Sequence, residues 1–425
     1  MARARRIAII GAGAAGTMAA IFAASGDGEV LLLERTPDGG RKILISGGGR
    51  CNVLPARADP ARFVTDSAPR TLLRMLRAWP LREQILFFEN ELGVPLAEET
   101  ESGKLFPASN RARDVRDSLL ALAKRRGVTL VPDTLVVGLE PAGARWRIER
   151  DGAPPLEADA VIVATGGLSI PKSGSDGIGL SVLATLGHTI RAPYPALTPL
   201  TAPPSPFAAL AGLSLPVTLT ARSPDRSAAS TGGFLFTHRG YSGPSTLDVS
   251  HVVVRSGDAA PASAARLTVR WTELDEPAWT AALRPDGART VAGALRARVP
   301  DRLAIALCAA AGVDPARRLA QLKREERVRL TETLVRGELP WSGHEGYAKA
   351  EVTGGGAVLD EIDPATMESR RHPGLFLCGE ILDAFGPIGG HNFQWAWATG
   401  RTAGLGAAAV RPSNAHASEQ GVREA

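Results

Sequence analysis

Residues 6–16 read Arg6-Ile-Ala-Ile-Ile-Gly11-Ala-Gly13-Ala-Ala-Gly16. The run Ile7–Ile10 is β-rich and lacks polar alternation, which suits a strand buried on both faces of a parallel sheet. Gly11, Gly13 and Gly16 keep a spacing that permits a tight turn. It also lets backbone amides approach a pyrophosphate at the positive end of the following helix. Thr17 to Ala24 is small and apolar, so a helix is predicted to pack closely on the sheet. Glu29-Val-Leu-Leu-Leu-Glu34 is a second buried strand, completing a βαβ unit. Glu34 lies 18 residues beyond Gly16, where a carboxylate accepts the hydroxyls of an adenosine ribose. A 2′-phosphate would clash with that carboxylate, so the pattern points to FAD or NAD rather than NADP.

Outward from this unit lies Gly39-Gly-Arg-Lys-Ile-Leu-Ile-Ser-Gly-Gly-Gly-Arg-Cys-Asn52. A serine followed by three glycines makes a backbone that can lie flat against a planar ring. Arg41, Lys42 and Arg50 can neutralise phosphates or a reduced ring anion, and Asn52 closes the loop. Ala158 to Ala164 reads as another buried strand, ending in Thr165-Gly166-Gly167 at the edge of the sheet where ligands bind. A further buried strand, Leu375 to Cys378, meets Gly379, with Glu380 and Asp383 as candidates for polyol hydroxyls. A helix predicted from about Asn392 would aim its amides at the same place, stabilising negative charge. Gly390, His391, Asn392 and Phe393 stand at that start.

Composition bounds the alternatives. A chain of 425 residues, 44% hydrophobic and 22% charged, suggests two or three globular domains. The net charge of +5, from 49 basic and 44 acidic residues, reads as small and spread out, so no nucleic-acid partner is expected. Three cysteines, Cys51, Cys308 and Cys378, include no CxxC pair; a disulfide framework and a dithiol reductase are disfavoured, and a cytoplasmic protein is expected. Cys51 and Cys378 read as packing residues. No apolar run reaches membrane-spanning length. No metal site is expected.

Helical periodicity covers 69–92 and 115–126, strands are predicted at 135–137 and 146–148, and Ser175 or Asp176 could cap a helix ending near Gly187. Proline becomes dense from Pro193 to Pro206. The chain is therefore divided into a first segment of one domain (1–190), an inserted domain (191–349), the second segment (350–412) and a disordered tail (413–425). The insert is read as β-rich over 191–285 and helical over 286–345, with the charged run Arg317 to Arg336 as a solvated helical face.

Four segments together resemble the YhiN-like (also BaiN-like) family of NAD(P)/FAD-dependent oxidoreductases. They are Arg41 to Asn52, Gly233-Phe-Leu-Phe-Thr-His-Arg-Gly-Tyr-Ser-Gly-Pro244, Val352-Thr-Gly-Gly-Gly356, and Met367-Glu-Ser with Gly374 to Asp383. The resemblance implies an α/β fold. Its Rossmann-like FAD domain of the two-dinucleotide-binding kind, related to the fumarate reductase group, would be interrupted by a small β-barrel plus a helical subdomain. It implies that Ser46 to Gly49 line the isoalloxazine, and that the acceptor is an activated enoyl or keto compound. The expected cofactor set is Gly11, Gly13, Ala15, Gly16, Glu34, Arg35, Lys42, Ser46, Gly48, Gly49, Arg50, Cys51, Asn52, Val137, Thr165, Gly166, Gly167, Gly379, Glu380, Asp383, Gly390, Asn392 and Phe393. His391, Trp395 and Trp397 depart from the family pattern in the closing helix.

The catalytic candidates are His391, Arg50, His238 and Tyr241, the last two from the polar cluster His238, Arg239, Tyr241 and Ser242 in the insert. No flavin-linking histidine adjoins the glycine loops, so FAD is expected to be held non-covalently. Only one complete G-x-G-x-x-G unit exists. NAD(P)H is therefore expected as a transient donor entering the same cleft as a small-molecule substrate, under an insert that acts as a lid. The rival readings are an FAD-dependent tRNA-modifying enzyme and a flavin-binding sensor without turnover.

Overall fold

A computed structural model of the chain describes residues 5–202, 207–257 and 264–410. The expected tail, 413–425, and three prolines of the dense stretch, Pro203, Pro204 and Pro206, lie outside the described residues. The chain divides into two compact units, Met1–Pro193 with Val352–Ala425, and Tyr194–Glu351.

The first unit is of the mixed α/β Rossmann type. Its five-stranded sheet runs in the order Leu375–Leu377, Ala160–Val163, Arg6–Ile10, Glu29–Leu33, Val128–Val131. Every pairing is parallel, with Ile9 opposite both Ile162 and Leu32. The strands lack polar alternation because both faces are covered; Ile7 to Ile10 and Val30 to Leu33 are all buried. Parallel order places the carboxyl ends of four strands together, and those ends carry Gly11, Glu34, Thr165 and Gly379. Two three-stranded antiparallel sheets also belong to the unit, one of them Val136–Ala142, Arg145–Arg150 and Ala153–Ala158.

The helix Ala14–Ala23 packs against the closing helix His391–Ala409. Their approach is set by two glycines one turn apart. A Cβ on Gly400 would lie 2.4 Å from the Ala15 carbonyl oxygen, and one on Gly404 would lie 2.3 Å from that of Ala19. The two backbones thus meet at distances no larger side chain permits.

Some elements depart from the sequence reading. The periodicity over 69–92 is cut at Pro80 into helices Pro69–Arg77 and Leu81–Leu86, the second running on as a π-helical turn to Glu91. Proline cannot donate the interior helical bond, so one helix becomes two. The helix Ile178–Thr185 takes Gly177 as its cap; Asp176 reaches the Ile178 amide at 3.2 Å, while Ser175 is buried.

The second unit is built on seven antiparallel strands in the order Gly337–Glu338, Arg266–Arg270, Ser214–Arg222, Ser227–Phe236, Gly240–Ser242, Leu200–Thr201, Gly343–His344. Among the described residues no pairing joins the two end strands, so the expected closed barrel is not established. The stretch expected to be β-rich also holds the helix Pro244–Ser256, whose buried Val249, Val252 and Val253 keep helical spacing. The stretch expected to be helical holds Val291–Leu295, Asp301–Ala310 and Arg324–Arg336 along with the two short end strands. Trp271 and Trp279 lie in this unit's core and Trp146 in that of the first.

Replacing Gly400 by alanine forces apart two packed helices, an overpacking error of about 1–3 kcal/mol. A lowered thermal midpoint is expected; a Gly400→Ala variant melting with the wild type would contradict the close approach.

Candidate functional site

The site is assembled at the carboxyl ends of the parallel strands. Gly13 starts the first helix without a side-chain cap, and a Cβ built on it meets nothing within 4 Å. Gly16 is the opposite case: its Cβ would fall 1.8 Å from the Gly11 carbonyl oxygen. One glycine therefore closes the turn, and the other leaves open space in front of the helix amides. Ala15, on the first turn of that helix, is buried, and a Cβ on Gly379 would lie 2.6 Å from its own.

Glu34 is buried at the end of the second strand. One carboxylate oxygen accepts from the Ala12 amide at 2.7 Å, and the other accepts from the Thr36 amide at 2.8 Å and hydroxyl at 2.7 Å. The residue expected to read a ribose thus also pins the glycine loop. Thr134 donates its amide to the Glu34 carbonyl, and Val137, three residues on, is 43% exposed. A bare valine there suits the face of a flat base. Arg35 is held in an ion pair with Asp176 and donates to the Gly174 carbonyl.

In the loop Ser46–Gly49 the three glycines all take positive φ, with Gly48 at φ 68° and open space where its Cβ would be. Ser46 donates to the Ile43 carbonyl. Arg50 pairs with Glu99 at 3.0 Å and lies over the Phe106 ring at 4.0 Å, which fixes its guanidinium beside the loop. Cys51 is fully buried and burial pushes its thiol up to about 12; Cys378 is likewise raised by burial, so both are packing residues. The Asn52 side chain donates to the Leu54 carbonyl and accepts from the Gly390 amide at 3.0 Å.

A half-buried network joins this loop to the far strand. Lys42 donates to Glu380 at 2.6 Å and to Ser169 at 2.7 Å, and Ser169 donates to the second Glu380 oxygen at 2.6 Å. The Thr353 amide donates to Glu380, while the Thr353 hydroxyl accepts from the amides of Leu168 and Ser169. A Cβ on Gly167 would lie 2.4 Å from that hydroxyl, which explains the glycine. Ser169 and Thr353 were not among the expected site residues. Thr353 belongs to the Val352–Gly356 motif, which was the available signal.

Several expected roles change. Lys42 is neutralised by Glu380 and is not a free phosphate cation. Asp383 is buried with its carboxylate turned to the Asp66 amide and the Ser67 hydroxyl, and burial raises its pKa; it is a structural pin rather than a ribityl ligand. Asn392 spends its amide on the Gly386 backbone, and Phe393 stacks on Trp397 with centroids 5.3 Å apart. Trp395 donates to the Gly379 carbonyl, Trp397 to the Val53 carbonyl, and Thr399 accepts from the Gly379 amide. The aromatic departures in the closing helix are thus ties across the unit.

His391 opens the closing helix. It is 5% exposed, it lies edge-on to Phe63, and neither ring nitrogen has a hydrogen-bond partner. Burial, helped by the Arg62 cation, pushes its pKa down to about 4. At neutral pH the ring is uncharged and offers one N–H and one lone pair, which changes its expected role as an acid. Tyr241 is buried in the aromatic core of the second unit, 5.6 Å from the Phe234 ring, while His238 is exposed; the insert cluster does not hold together as a proton-transfer group.

The residues present fit a dinucleotide with a planar ring. Glycine cradles face open space at Gly13 and Gly48, and buried polar atoms lack partners just past the strand Ala160–Val163, at Thr165 Oγ1, and on the closing helix, at both His391 nitrogens and Gln394 Oε1. Buried polar groups are rarely left unpaired, so a ligand bound at these elements would supply partners that the chain itself does not.

A family model described as HI0933-like protein Rossmann domain matches residues 5–406. The chain belongs to this family. HI0933-like relatives include the 3-dehydro-bile acid delta(4,6)-reductase of Clostridium scindens, 32% identical over 416 residues, 96% of this chain and 100% of the relative. The ribosomal RNA dihydrouridine synthase of Escherichia coli K12 is 30% identical over 396 residues, 92% of this chain and 95% of the relative. Among solved structures, the 3-ketosteroid delta1-dehydrogenase of Sterolibacterium denitrificans matches with a TM-score of 0.51 at 13% identity, covering 95% of this chain and 99% of its own. The 3-ketosteroid-delta4-(5alpha)-dehydrogenase of Rhodococcus jostii matches at 0.50 and 16%, covering 95% and 97%. At these identities the two structures establish the shared fold. The chain is an enzyme, a flavin-dependent oxidoreductase. No described helix is long and apolar enough to cross a membrane.

Two outcomes test the site. Glu34→Gln keeps an acceptor for the Ala12 amide but removes the charge that strengthens ribose hydrogen bonds, each about 1.5–3 kcal/mol. Flavin affinity is expected to fall by roughly ten- to a hundredfold; unchanged flavin content after dialysis would rule out the assignment. His391 has a depressed pKa, so its contribution to stability is intact above the ordinary value of about 6.5 and is lost as pH falls toward about 4. The thermal midpoint of cofactor-stripped protein should decline over that window, and the decline should be shallower in His391→Asn. Identical slopes would overturn the burial argument.

Proposed function

We propose that this enzyme holds FAD non-covalently in the cradle of its first unit and reduces a C=C bond conjugated to a carbonyl, with NAD(P)H as donor. The observation that carries the reading is the convergence of Gly13, Glu34, the Ser46–Gly49 loop and the uncapped closing helix at one edge of the parallel sheet. Bound there, FAD supplies the redox chemistry. The chain's own groups bind and orient. The amides after Gly13 would meet the pyrophosphate and Glu34 the adenosine ribose, Val137 would cover the base, and the flat Ser46–Gly49 backbone would bear on the ring. The first amides of the closing helix would face developing negative charge. Glu380 would present the ribityl side with Lys42 as its counter-ion.

The names of the relatives support the acceptor class. A steroid delta(4,6) reductase and a dihydrouridine synthase act on different molecules, yet a 3-oxo steroid diene and a uracil ring share an alkene conjugated to a carbonyl. The expectation that nucleic acid plays no part is not kept, because a relative covering 92% of this chain is named for an RNA product. The RNA-modifying rival becomes one branch of the same chemistry.

The purified protein should be yellow and release intact FAD on denaturation; a flavin that stays on the precipitated chain, or FMN, would contradict this. Anaerobic reduction by NADH or NADPH, followed by a 3-oxo-Δ4 steroid or ribosomal RNA, should reoxidise the flavin and add two hydrogens to the acceptor. With a single dinucleotide motif in the chain, donor and acceptor should give parallel double-reciprocal lines. Intersecting lines, or no reoxidation by either acceptor, would sink the reading.

A further inference from the structure

The net charge is not spread evenly. The second unit, Tyr194–Glu351, holds 19 arginines and lysines against 15 acidic residues, leaving the rest of the chain nearly neutral. Within it, residues 284–329 hold 11 basic residues against five acidic ones. This corrects the sequence reading of a dispersed excess.

Part of this excess is internally satisfied. Arg296 pairs with Asp301, Arg317 with Glu326, and Arg329 donates to the Ala311 carbonyl. Arg289 and Arg302 likewise donate to the Gly293 and Ala209 carbonyls, while Arg284 and Arg327 face a groove between the helices Glu276–Ala282 and Arg324–Arg336. The groove has a volume of about 710 Å³ and is lined by Glu276, Pro277, Thr280, Ala281, Arg284 and Arg327. Its one carboxylate, Glu276, is paired with Arg336 at 2.8 Å. Neither Arg284 nor Arg327 has an ion-pair partner among the described residues, and Arg324 stands one helical turn before Arg327, likewise unpaired. The floor is small and uncharged, so a phosphate can approach both guanidinium groups.

We propose that this groove docks the phosphate backbone of a folded RNA, the molecule that carries the acceptor. The inference rests on the proposed reductase reading only for what the bound RNA is for. Arginine is suited to the task, because its planar fork grips phosphate oxygens in pairs and stacks on unpaired bases. A membrane surface is the poorer fit: the exposed large apolar side chains of this region are Ile305 and Val328, too few to enter a lipid interface.

The test uses the full-length holoprotein and protein-free ribosomal RNA from E. coli, with binding followed by filter retention across a salt series. Arg284→Glu with Arg327→Glu is compared with Arg222→Glu and Arg266→Glu, which change the same charge on the strands of the same unit. The groove variant should lose affinity by roughly tenfold or more and lower the log–log salt slope by about 2, one per phosphate contact. The strand variant should bind as the wild type does. Thermal midpoints and flavin absorbance, read on every sample, separate failure of folding or of the flavin reading from failure of the groove. Equal losses in both variants, no binding at physiological salt, or displacement of the RNA by duplex DNA at equal phosphate concentration would each overturn the proposal.

Discussion

The first unit depends on a chain end finding its way back. The strand Leu375–Leu377 joins the sheet only after the second unit, Tyr194–Glu351, has intervened, and the closing helix must then lock against the first helix. That lock is the contact of Gly400 and Gly404 with the Ala15 and Ala19 carbonyls. From this helix, Trp395 and Thr399 hold the carbonyl and amide of Gly379, while Trp397 holds Val53. Glu380 and the Leu54 segment are thereby set from one rigid element. Two indole N–H donors that would be costly to bury unpaired serve instead as the ties that place the strand end.

The polar interior follows the same economy. Lys42 and Glu380 are both partly withdrawn from water, and a pair so placed is best held where its remaining capacity is met. Ser169 and the Thr353 amide meet it. The Thr353 hydroxyl then turns to the Leu168 and Ser169 amides, so a chain that has passed through the inserted unit is bound to the strand end left before it. Asp383 does similar work nearby, bonded to the Asp66 amide and Ser67 hydroxyl, with Ser67 also accepting from the Leu359 amide.

What the sequence made legible is local. Gly11 to Gly16, Glu34 and the Ser46–Gly49 loop declare themselves because strand, turn and helix lie within a few residues of one another. What stayed hidden is long-range. Asp383 looks like a ligand until the Thr65–Ser67 loop is seen against it, and Ser169 carries no motif because its partners are Lys42 and Glu380, distant in the chain. The helix Pro244–Ser256 was missed although Gly243-Pro244 opens it and Val249, Val252 and Val253 mark its face, since β-like runs on either side dominate the window. Tyr241 was misplaced because a polar neighbourhood in sequence does not reveal that its ring faces Phe234 and Phe236.

The electrostatics of the cradle can be reasoned from what is left after these pairings. Lys42 is cancelled by Glu380, Arg35 by Asp176 and Arg50 by Glu99, and His391 is neutral. Helix N-termini are ordinarily capped by a serine, threonine or acid, which satisfies orphan amides and offsets the dipole. The two helices that meet at this site have neither: Gly13 and Gly390 are their caps, without a side-chain hydrogen bond, and no acidic residue stands in either first turn. Two uncapped positive ends at one sheet edge are a local cost that an anionic ligand removes. On the proposed reading the first would meet a pyrophosphate, and the second, carrying the unpartnered His391, would face the ring that gains electrons. Because these amides are fixed by the helix–helix lock, they need no reorganisation when negative charge develops, which is the condition under which such dipoles are most effective.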